Sequence, residues 1–439
     1  MLKFDEKMPK RPITHSVKDL PLVAVELGSH SVRAMAAEKV GTDMLHVLAY
    51  EESNQSPCVN RGMVDQINDA GFMINRVLHL LANRIQVSSI PSAYTLIGGK
   101  GMQLAPVKSK RDLIRKRAIS EQIMNEMRQE CIDKIERRNP DVAAFDVLPS
   151  YYVLDGMEQD TEPTDSQKAA VWEINFNAFV GHREARENLL KSFENAKTTI
   201  EQTFVRPDVL LSAITTGQPE IQENGCAVID FGAQTTTLTI YKGNQFLHNL
   251  VVPQGGWHIS RFIEQQGVPF NYAEHIKCKY GCASPRYVER DSAMVLPSNH
   301  PDQTTQRVSL TALAEFIEMK QGEILQPILN VLHQYEERLG GVYLTGGACM
   351  LDGLVGWLQE RTSLPVQFGS HAYLLDRQTD DEFCKPRYTS LIGALIHGSD
   401  WRDSHTNLVV RDRKSFTSRV LQATQQEILY IFTDAQKPE

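Results

Sequence analysis

Long hydrophobic runs are missing from this chain of 439 residues. No stretch approaches the roughly 18 to 20 apolar residues that a membrane-spanning helix requires. Residues 1–19 are rich in charge and lack the apolar segment of a secretion signal. We therefore expect a protein that is neither integral to a membrane nor secreted.

An excess of positive charge is also missing, since 46 Lys and Arg residues stand against 54 Asp and Glu residues and the net charge is −8. Proteins that attract nucleic acid through the electrostatic field of their net charge carry an excess of basic residues. The balance therefore predicts no nucleic-acid partner. Hydrophobic residues at 41% and charged residues at 23% are typical of a globular protein with a sizeable core.

Cysteine is sparse, with seven residues and no Cys-x-x-Cys pair. An odd number of scattered cysteines does not suggest a disulfide framework and favours a reducing cytoplasm. Cys278 and Cys282 are four residues apart, but no second pair of Cys or His completes a tetrahedral zinc site. We therefore expect no zinc site at this pair.

What the sequence does contain is a repeated hairpin pattern. Each copy has an apolar run that includes an acid, then a glycine turn with hydroxyl residues, then a second apolar run. The copies occupy residues 22–37 and 226–241, and their acids are Glu26 and Asp230. A third predicted strand follows each copy, at 46–50 and at 247–252.

An acid, a glycine and a nearby hydroxyl in this order suit phosphate binding. Glycine lets the backbone approach a phosphate, and backbone N–H and hydroxyl groups donate to it. The acid can hold a hydrated magnesium ion. One such hairpin alone would be interpreted as an ordinary β-turn. Two copies in two halves favour facing hairpins that close on one polyphosphate.

A third element supports a nucleotide site. Residues 341–344 form a predicted strand that enters Gly346 and Gly347, and residues 351–358 have helical spacing. In a strand, glycine pair and helix of this kind, the backbone and a helix N-terminus can meet a nucleotide. Taken alone, the glycine pair is equally consistent with a tight turn.

At these three places the sequence resembles the actin/Hsp70/sugar-kinase ATPase superfamily, with 28–31 and 230–235 as the phosphate loops and 344–348 as the adenosine loop. Within it, further short segments are similar in order and spacing to the FtsA family of bacterial cell-division proteins, from about residue 20 to residue 400. These segments are 61–64, 253–256, 259–260, 273–283 and 353–354.

The resemblance implies an α/β, actin-like ATPase fold with two duplicated ribonuclease-H-like domains around a nucleotide cleft and a small inserted 1C domain of the SHS2 type. The implied subdomains are 1A at 20–100, 181–222 and 376–400; 1C at 101–180; 2A at 223–258 and 341–375; 2B at 259–340; a linker at 401–410; and a C-terminal amphipathic segment at 411–439.

The candidate inserted domain has a pattern of its own. The spacing of apolar residues predicts a helix at 120–138, and strand-like runs follow at 144–154 and 169–180. This combination suits a small recognition domain. A basic cluster near its start is interpreted as a solvated helix face, with a surface for an acidic partner as the alternative. The cluster comprises Lys108, Lys110, Arg111, Arg115, Lys116 and Arg117.

The resemblance also implies the site residues, with ATP and Mg²⁺ as cofactors and Asp230 as an indirect holder of the metal. Carboxylates that only cap buried turns are the alternative for Glu26 and Asp230, and an exposed ion pair is the alternative for Glu274 and Lys277. The residues implied at the phosphates and magnesium are Glu26, Gly28, Ser29, His30, Ser31, Asp230, Gly232, Ala233, Gln234 and Thr235. Those implied at the nucleoside are Glu274, Lys277, Gly346, Gly347 and Ala348.

The sequence departs from the family at positions that matter for hydrolysis. In the second phosphate loop, Ala233, Gln234 and Thr237 replace two glycines and an acid. Farther on, Arg261 and Phe262 stand where the family commonly has an acid. Losing an acid that orients the attacking water leaves ATP binding plausible and predicts weak or absent ATPase activity. No catalytic residue is assigned.

The C-terminal segment has a basic start and an apolar stripe of roughly helical spacing. FtsA proteins end in an amphipathic helix that holds them to the inner membrane face, so the resemblance implies a peripheral membrane anchor here. A helix that docks on a protein groove is the alternative. The stripe comprises Phe416, Val420, Leu421, Ile428, Ile431 and Phe432.

The resemblance implies an actin-like cell-division protein that binds ATP, polymerises, anchors the tubulin-like protein FtsZ beneath the cytoplasmic membrane at the division site, and recruits later divisome proteins through 1C. The FtsZ tail is expected on subdomain 2B, with Glu315, Glu318 and Lys320 as candidate contacts. A pilus-assembly-type actin-like adaptor and a soluble small-molecule kinase of the same fold are the alternatives.

We predict that the purified protein hydrolyses ATP far more slowly than a kinase, because the acids that would orient water are replaced. Phosphate release should stay well below the roughly 1 to 100 turnovers per second typical of kinases. Turnover within that range would contradict the prediction and favour the kinase alternative.

Overall fold

The structure, a computed structural model, describes residues 21–41, 44–53, 58–164, 166–243, 245–296 and 306–404. Its strands are β1 (Leu22–Leu27), β2 (Val32–Val40), β3 (Met44–Glu52), β4 (Val59–Asn60), β5 (Met63–Val64), β6 (Ser92–Ile97), β7 (Gln103–Arg117), β8 (Val142–Leu154), β9 (Met157–Gln159), β10 (Ala169–His182), β11 (Thr199–Val205), β12 (Cys226–Phe231), β13 (Thr236–Lys242), β14 (Gln245–Val252), β15 (Ala293–Leu296), β16 (Gln306–Ser309), β17 (Gly341–Thr345) and β18 (Val366–Phe368).

The α-helices are α1 (Ile67–Arg84), α2 (Glu121–Arg138), α3 (Arg183–Asn195), α4 (Arg206–Thr215), α5 (Pro219–Asn224), α6 (Gly256–Glu264), α7 (Phe270–Tyr280), α8 (Leu310–Leu332) and α9 (Leu354–Gln359). A further helix over residues 389–404 ends the described part of the chain. None of the helices in the described ranges combines the length and apolar character of a membrane span.

Two five-stranded sheets repeat one topology. Their strand orders are β11-β6-β1-β2-β3 and β18-β17-β12-β13-β14. In each sheet three consecutive strands pair antiparallel, and the first of them also pairs in parallel with a later strand. The predicted α/β fold with duplicated domains is therefore confirmed.

The central strands β1 and β12 are buried at every position. Such strands are covered on both faces, so their sequences are continuous apolar runs rather than alternating ones. In the first sheet, α1 contributes to the core on one face and helix 389–404 to the core on the other. Burial of both strands places Glu26 and Asp230 below the protein surface at strand ends, where the two sheets face a common cleft.

Between β6 and β11 the chain builds a separate four-stranded sheet in the order β7-β10-β8-β9, with α2 packed on it. Trp172 and Met127 are fully buried in its core. The helix predicted at 120–138 is present as α2, which Ser120 caps by accepting a hydrogen bond from the Ile123 N–H. The assignment of 101–180 as an inserted 1C domain, like the other subdomain boundaries, stays a prediction.

The interpretation of the basic cluster as a helix face is wrong. These residues lie on β7, which pairs with β10 at one edge of the four-stranded sheet. Charged side chains protect an exposed sheet edge from pairing with another chain. Four of the six residues also form ion pairs within the domain, which weakens the alternative of an acidic partner. These pairs are Lys108–Glu173, Lys110–Asp112, Arg111–Glu130 and Lys116–Asp155.

Of the predicted linker 401–410, the structure describes only the first four residues, which are helical rather than irregular. Residues 401–404 continue the last helix, and the Trp401 ring lies 6.2 Å from the ring of Tyr94 in the core. The predicted membrane segment 411–439, with all six residues of its apolar stripe, lies outside the described residues.

Candidate functional site

A cavity of about 830 Å³ lies where the two sheets face each other. Both glycine hairpins, the third glycine loop and the helices α6 and α7 line it. All the residues predicted to bind phosphates or the nucleoside are brought together on its wall. They are Glu26, Gly28, Ser29, His30, Ser31, Asp230, Gly232, Ala233, Gln234, Thr235, Glu274, Lys277, Gly346, Gly347 and Ala348.

The two hairpins are closed by the same hydrogen bond. Gly28 N donates to Ser31 O at 3.0 Å, and Gly232 N donates to Thr235 O at 2.9 Å. A Cβ atom at either glycine would lie 3.0 Å from that same acceptor. Matching closure at matching strand ends gives the cavity two backbone turns of similar shape, one from each domain.

The third loop packs closely against the second hairpin. Gly346 has a φ of +87°, and a Cβ atom there would lie 2.5 Å from Asp230 Oδ1 and 2.6 Å from Phe231 O. At the start of α6, a Cβ atom on Gly256 would lie 2.8 Å from the Ala348 Cβ. Glycine is therefore required here for the backbone conformation and for the close approach.

The Glu26 carboxylate is buried and fully engaged. Arg206 donates to its Oε1, Arg33 Nη2 lies 2.5 Å from its Oε2, and Ser390 Oγ donates to Oε2 at 2.8 Å. Burial acts to raise the pKa of Glu26, but the neighbouring Arg206 and Arg33 charges outweigh it and hold the pKa at about 2. The carboxylate is therefore ionised at neutral pH.

Asp230 has a less complete set of partners. Its Oδ2 lies 3.8 Å from Arg206 Nη1. Burial raises the pKa of Asp230, and the nearby charge of Glu26 adds to this against the opposing effect of Arg206. The two acids of the repeat therefore share one guanidinium while having different electrostatic surroundings.

The arginines were missed by sequence reasoning. Arg33 lies directly opposite Glu26 in the antiparallel pairing of β1 and β2, so the hairpin register could have indicated it. Arg206, at the start of α4, comes from 180 residues farther along the chain. No local pattern connects it to Glu26.

These contacts bear on the predicted magnesium site. Both oxygens of Glu26 already accept from guanidinium or hydroxyl donors, so this carboxylate does not fit a role in holding Mg²⁺. Among the described residues no group of three His, Cys, Asp or Glu side chains could hold a metal ion.

On the nucleoside side, Lys277 and Glu274 form a half-buried pair. Lys277 Nζ lies 3.0 and 2.9 Å from the two Glu274 oxygens and donates to Gly256 O at 2.9 Å. Ser260 donates to Glu274 as well. Lys277 is 8% exposed, so the alternative of an exposed surface pair is wrong. The pair fixes α7 against the start of α6.

The phosphate hairpins also hold one turn of the first domain. Gln234 Oε1 accepts from Arg61 N at 2.8 Å, and Ser29 Oγ accepts from Gly62 N at 2.9 Å. Gln234, one of the positions where the sequence departs from the family pattern, thus bridges the two halves of the cleft. At another departure, Arg261 lies over the Trp257 ring at 4.4 Å and pairs with Glu264.

Comparison with known proteins agrees with this geometry. A family model described as cell division protein FtsA matches residues 227–393. The FtsA protein of Escherichia coli is 25% identical over 421 residues, covering 91% of this chain and 94% of that protein. The FtsA protein of Enterococcus faecalis is 28% identical, with 77% and 76% covered. The chain is similar to FtsA proteins over most of its length. Its likeness to these relatives supports a role in bacterial cell division.

Solved structures agree on the fold of the chain. The PilM–PilN type IV pilus biogenesis complex matches with a TM-score of 0.63 at 16% identity, covering 86% of this chain and 98% of that one. MreB5 of Spiroplasma citri bound to ADP matches with a TM-score of 0.52 at 11% identity, covering 89% and 99%. The fold is that of the actin-like ATPases.

We predict that Gly346→Ala disrupts the site, because the new methyl group would meet Asp230 in a backbone conformation that only glycine adopts readily. The expected loss in the free energy of unfolding is about 1–3 kcal/mol, measured by chemical denaturation, and ATP affinity should fall with it. Gly347→Ala is the matched control for stability, since no protein atom lies within 4 Å of a Cβ atom at that position. Equal losses in the free energy of unfolding for the two substitutions would contradict the prediction.

Proposed function

We propose that this chain is an ATP-binding, actin-like protein that polymerises and anchors FtsZ to the cytoplasmic face of the membrane at the division site. The observation that carries the nucleotide part is the convergence of three glycine loops from two similar sheets on one cavity. Such loops bring backbone donors close to a polyphosphate and leave room for a nucleoside.

Other observations support the choice of a nucleotide. The cavity of about 830 Å³ is within the range of small-molecule and cofactor sites. MreB5 of Spiroplasma citri, which shares the fold, has been solved with ADP and with AMPPNP. We assign the phosphates to the two hairpins and the nucleoside to the side of Glu274, Lys277 and the third loop. Hydrolysis is weak or absent in this proposal.

The polymerisation part of the proposal rests on the actin-like fold and on the FtsA relatives. Recruitment of later divisome proteins is assigned to the four-stranded sheet between β6 and β11, where the resemblance has its inserted 1C domain. That sheet has its own core around Trp172 and its own helix α2, which suits a surface that acts independently of the cleft.

The FtsZ-binding surface is assigned to the first half of α8. Glu315 is exposed there, and Met319, one turn later, is 58% exposed. Neighbouring residues one turn apart lie on the same helix face. Glu318 instead accepts from Trp357 Nε1 at 2.8 Å and from Ser284 Oγ at 3.1 Å, and Lys320 pairs with Glu323. Glu315 is therefore the best placed of the three predicted contacts.

We predict that Glu315→Lys weakens binding of the FtsZ C-terminal peptide by about tenfold or more, as expected for an interface charge that is reversed. Fluorescence anisotropy with a labelled peptide measures it. Glu121→Lys on α2 is the control, because it reverses a charge on an exposed helix of another domain. Unchanged affinity in Glu315→Lys would remove this surface from the proposal.

We predict that the full chain pellets with anionic lipid vesicles and that a chain ending at Val410 does not. The basic start of 411–439 should be attracted to anionic headgroups while its apolar stripe inserts at the interface. Co-sedimentation with and without ATP measures the effect, and neutral vesicles give the electrostatic control. Equal pelleting of both chains would contradict the anchor, and pelleting of neither would favour a soluble actin-like adaptor.

A further inference from the structure

Arg206 lies between the two carboxylates that the family resemblance associates with magnesium. One of its terminal nitrogens, Nη1, donates to Glu26 Oε1 and lies 3.8 Å from Asp230 Oδ2. Glu26 Oε2 is taken by Arg33 and by Ser390. A guanidinium therefore stands at the junction of the first and second domains where a cation shared by these acids would lie.

The charges on the floor of the cleft balance without any added ion. Arg33 Nη1 donates to the backbone oxygen of Arg387 at 2.7 Å, and Arg387 Nη2 lies 2.6 Å from Glu52 Oε2. Charges that are largely removed from water are stable only when paired, and here the chain supplies the pairs itself. Three carboxylates face three guanidiniums along the cavity wall: Glu26, Glu52 and Asp230, and Arg33, Arg206 and Arg387.

The position of Arg206 is fixed by packing as well as by charge. Arg206 is the first residue of α4, and its side chain packs along Gly98. A Cβ atom added to Gly98 would lie 3.3 Å from the Cβ and 3.4 Å from the Nε of Arg206. A divalent cation between Glu26 and Asp230 would lie beside this guanidinium. Repulsion between like charges is strong at short range in a partly buried site.

We propose that Arg206 takes the place of a divalent cation in this cleft, so that the protein binds ATP as the free nucleotide anion. This inference rests on the proposed nucleotide-binding function. The side chains of Arg206 and Arg33 are 20% and 14% exposed, and both line the cavity. Guanidinium groups donate paired hydrogen bonds to phosphate oxygens, which makes them suitable substitutes for a metal at a polyphosphate.

The test is equilibrium dialysis of the full chain against radiolabelled ATP, in buffer with millimolar magnesium and in buffer with excess EDTA. The expected dissociation constants differ by less than about threefold, well under the tenfold that corresponds to 1.4 kcal/mol. A loss of affinity of about tenfold or more in EDTA would overturn the inference while leaving ATP binding itself intact. Binding in neither buffer would contradict the proposed function and, with it, this inference.

Variants of Arg206 test whether this residue makes ATP binding independent of magnesium. Arg206→Gln removes the guanidinium that lies 3.8 Å from Asp230, so we expect the ATP affinity of this variant to fall by about tenfold or more in EDTA and to recover largely in magnesium. Arg206→Lys keeps the charge and should remain independent of magnesium. Arg183→Gln is the control, because its partner Glu136 keeps Arg186 and neither Arg183 nor Glu136 lines the cavity.

Circular dichroism and thermal unfolding show whether each variant folds. If Arg206→Gln does not fold, the wild type and Arg206→Lys decide the matter, since both are expected to bind equally well with and without magnesium. A folded Arg206→Gln variant with wild-type affinity in EDTA would assign the metal independence to another group and overturn the role of Arg206.

Discussion

The buried carboxylate of Glu26 is the constraint on which the cleft depends. An ionised group placed below the surface must be paired, since removing one partner of such a pair costs about 3–5 kcal/mol. Its partners come from β2, from the start of α4 and from the last described helix, through Arg33, Arg206 and Ser390. One charge therefore brings together elements far apart in the chain at the floor of the first domain.

The features that sequence reasoning found are local ones. Each hairpin is closed by a hydrogen bond between residues three apart, so its turn, its glycine and its two strands can be predicted from one short segment. The duplication added the expectation of a common cleft. Arg206 and Ser390 lie 180 and 364 residues from Glu26 along the chain, and only tertiary packing brings them to it. The charge balance of the cleft was therefore beyond sequence reasoning.

The error at β7 has a different cause. Residues 103–117 are mostly polar and mostly exposed on both sides, so neither the helical nor the strand period stands out. Pairing with β10 decides the conformation, and that pairing depends on a strand more than fifty residues later. The neighbouring helix α2 was predicted well because one of its faces packs on the sheet and its N-terminus carries a serine cap.

The last described helix, 389–404, starts at the floor of the cleft and runs toward the C-terminal part of the chain. In its first turn, Ser390 donates a hydrogen bond to Glu26. Farther along, the helix packs closely against α4, since a Cβ atom on Gly393 would lie 2.2 Å from Val209 O. Gly398 then packs against the Tyr94 ring. Residues 405–439 are attached to its far end. A displacement of this helix along its axis would therefore move Ser390 relative to Glu26 and disturb the hydrogen bonds at the floor of the cleft.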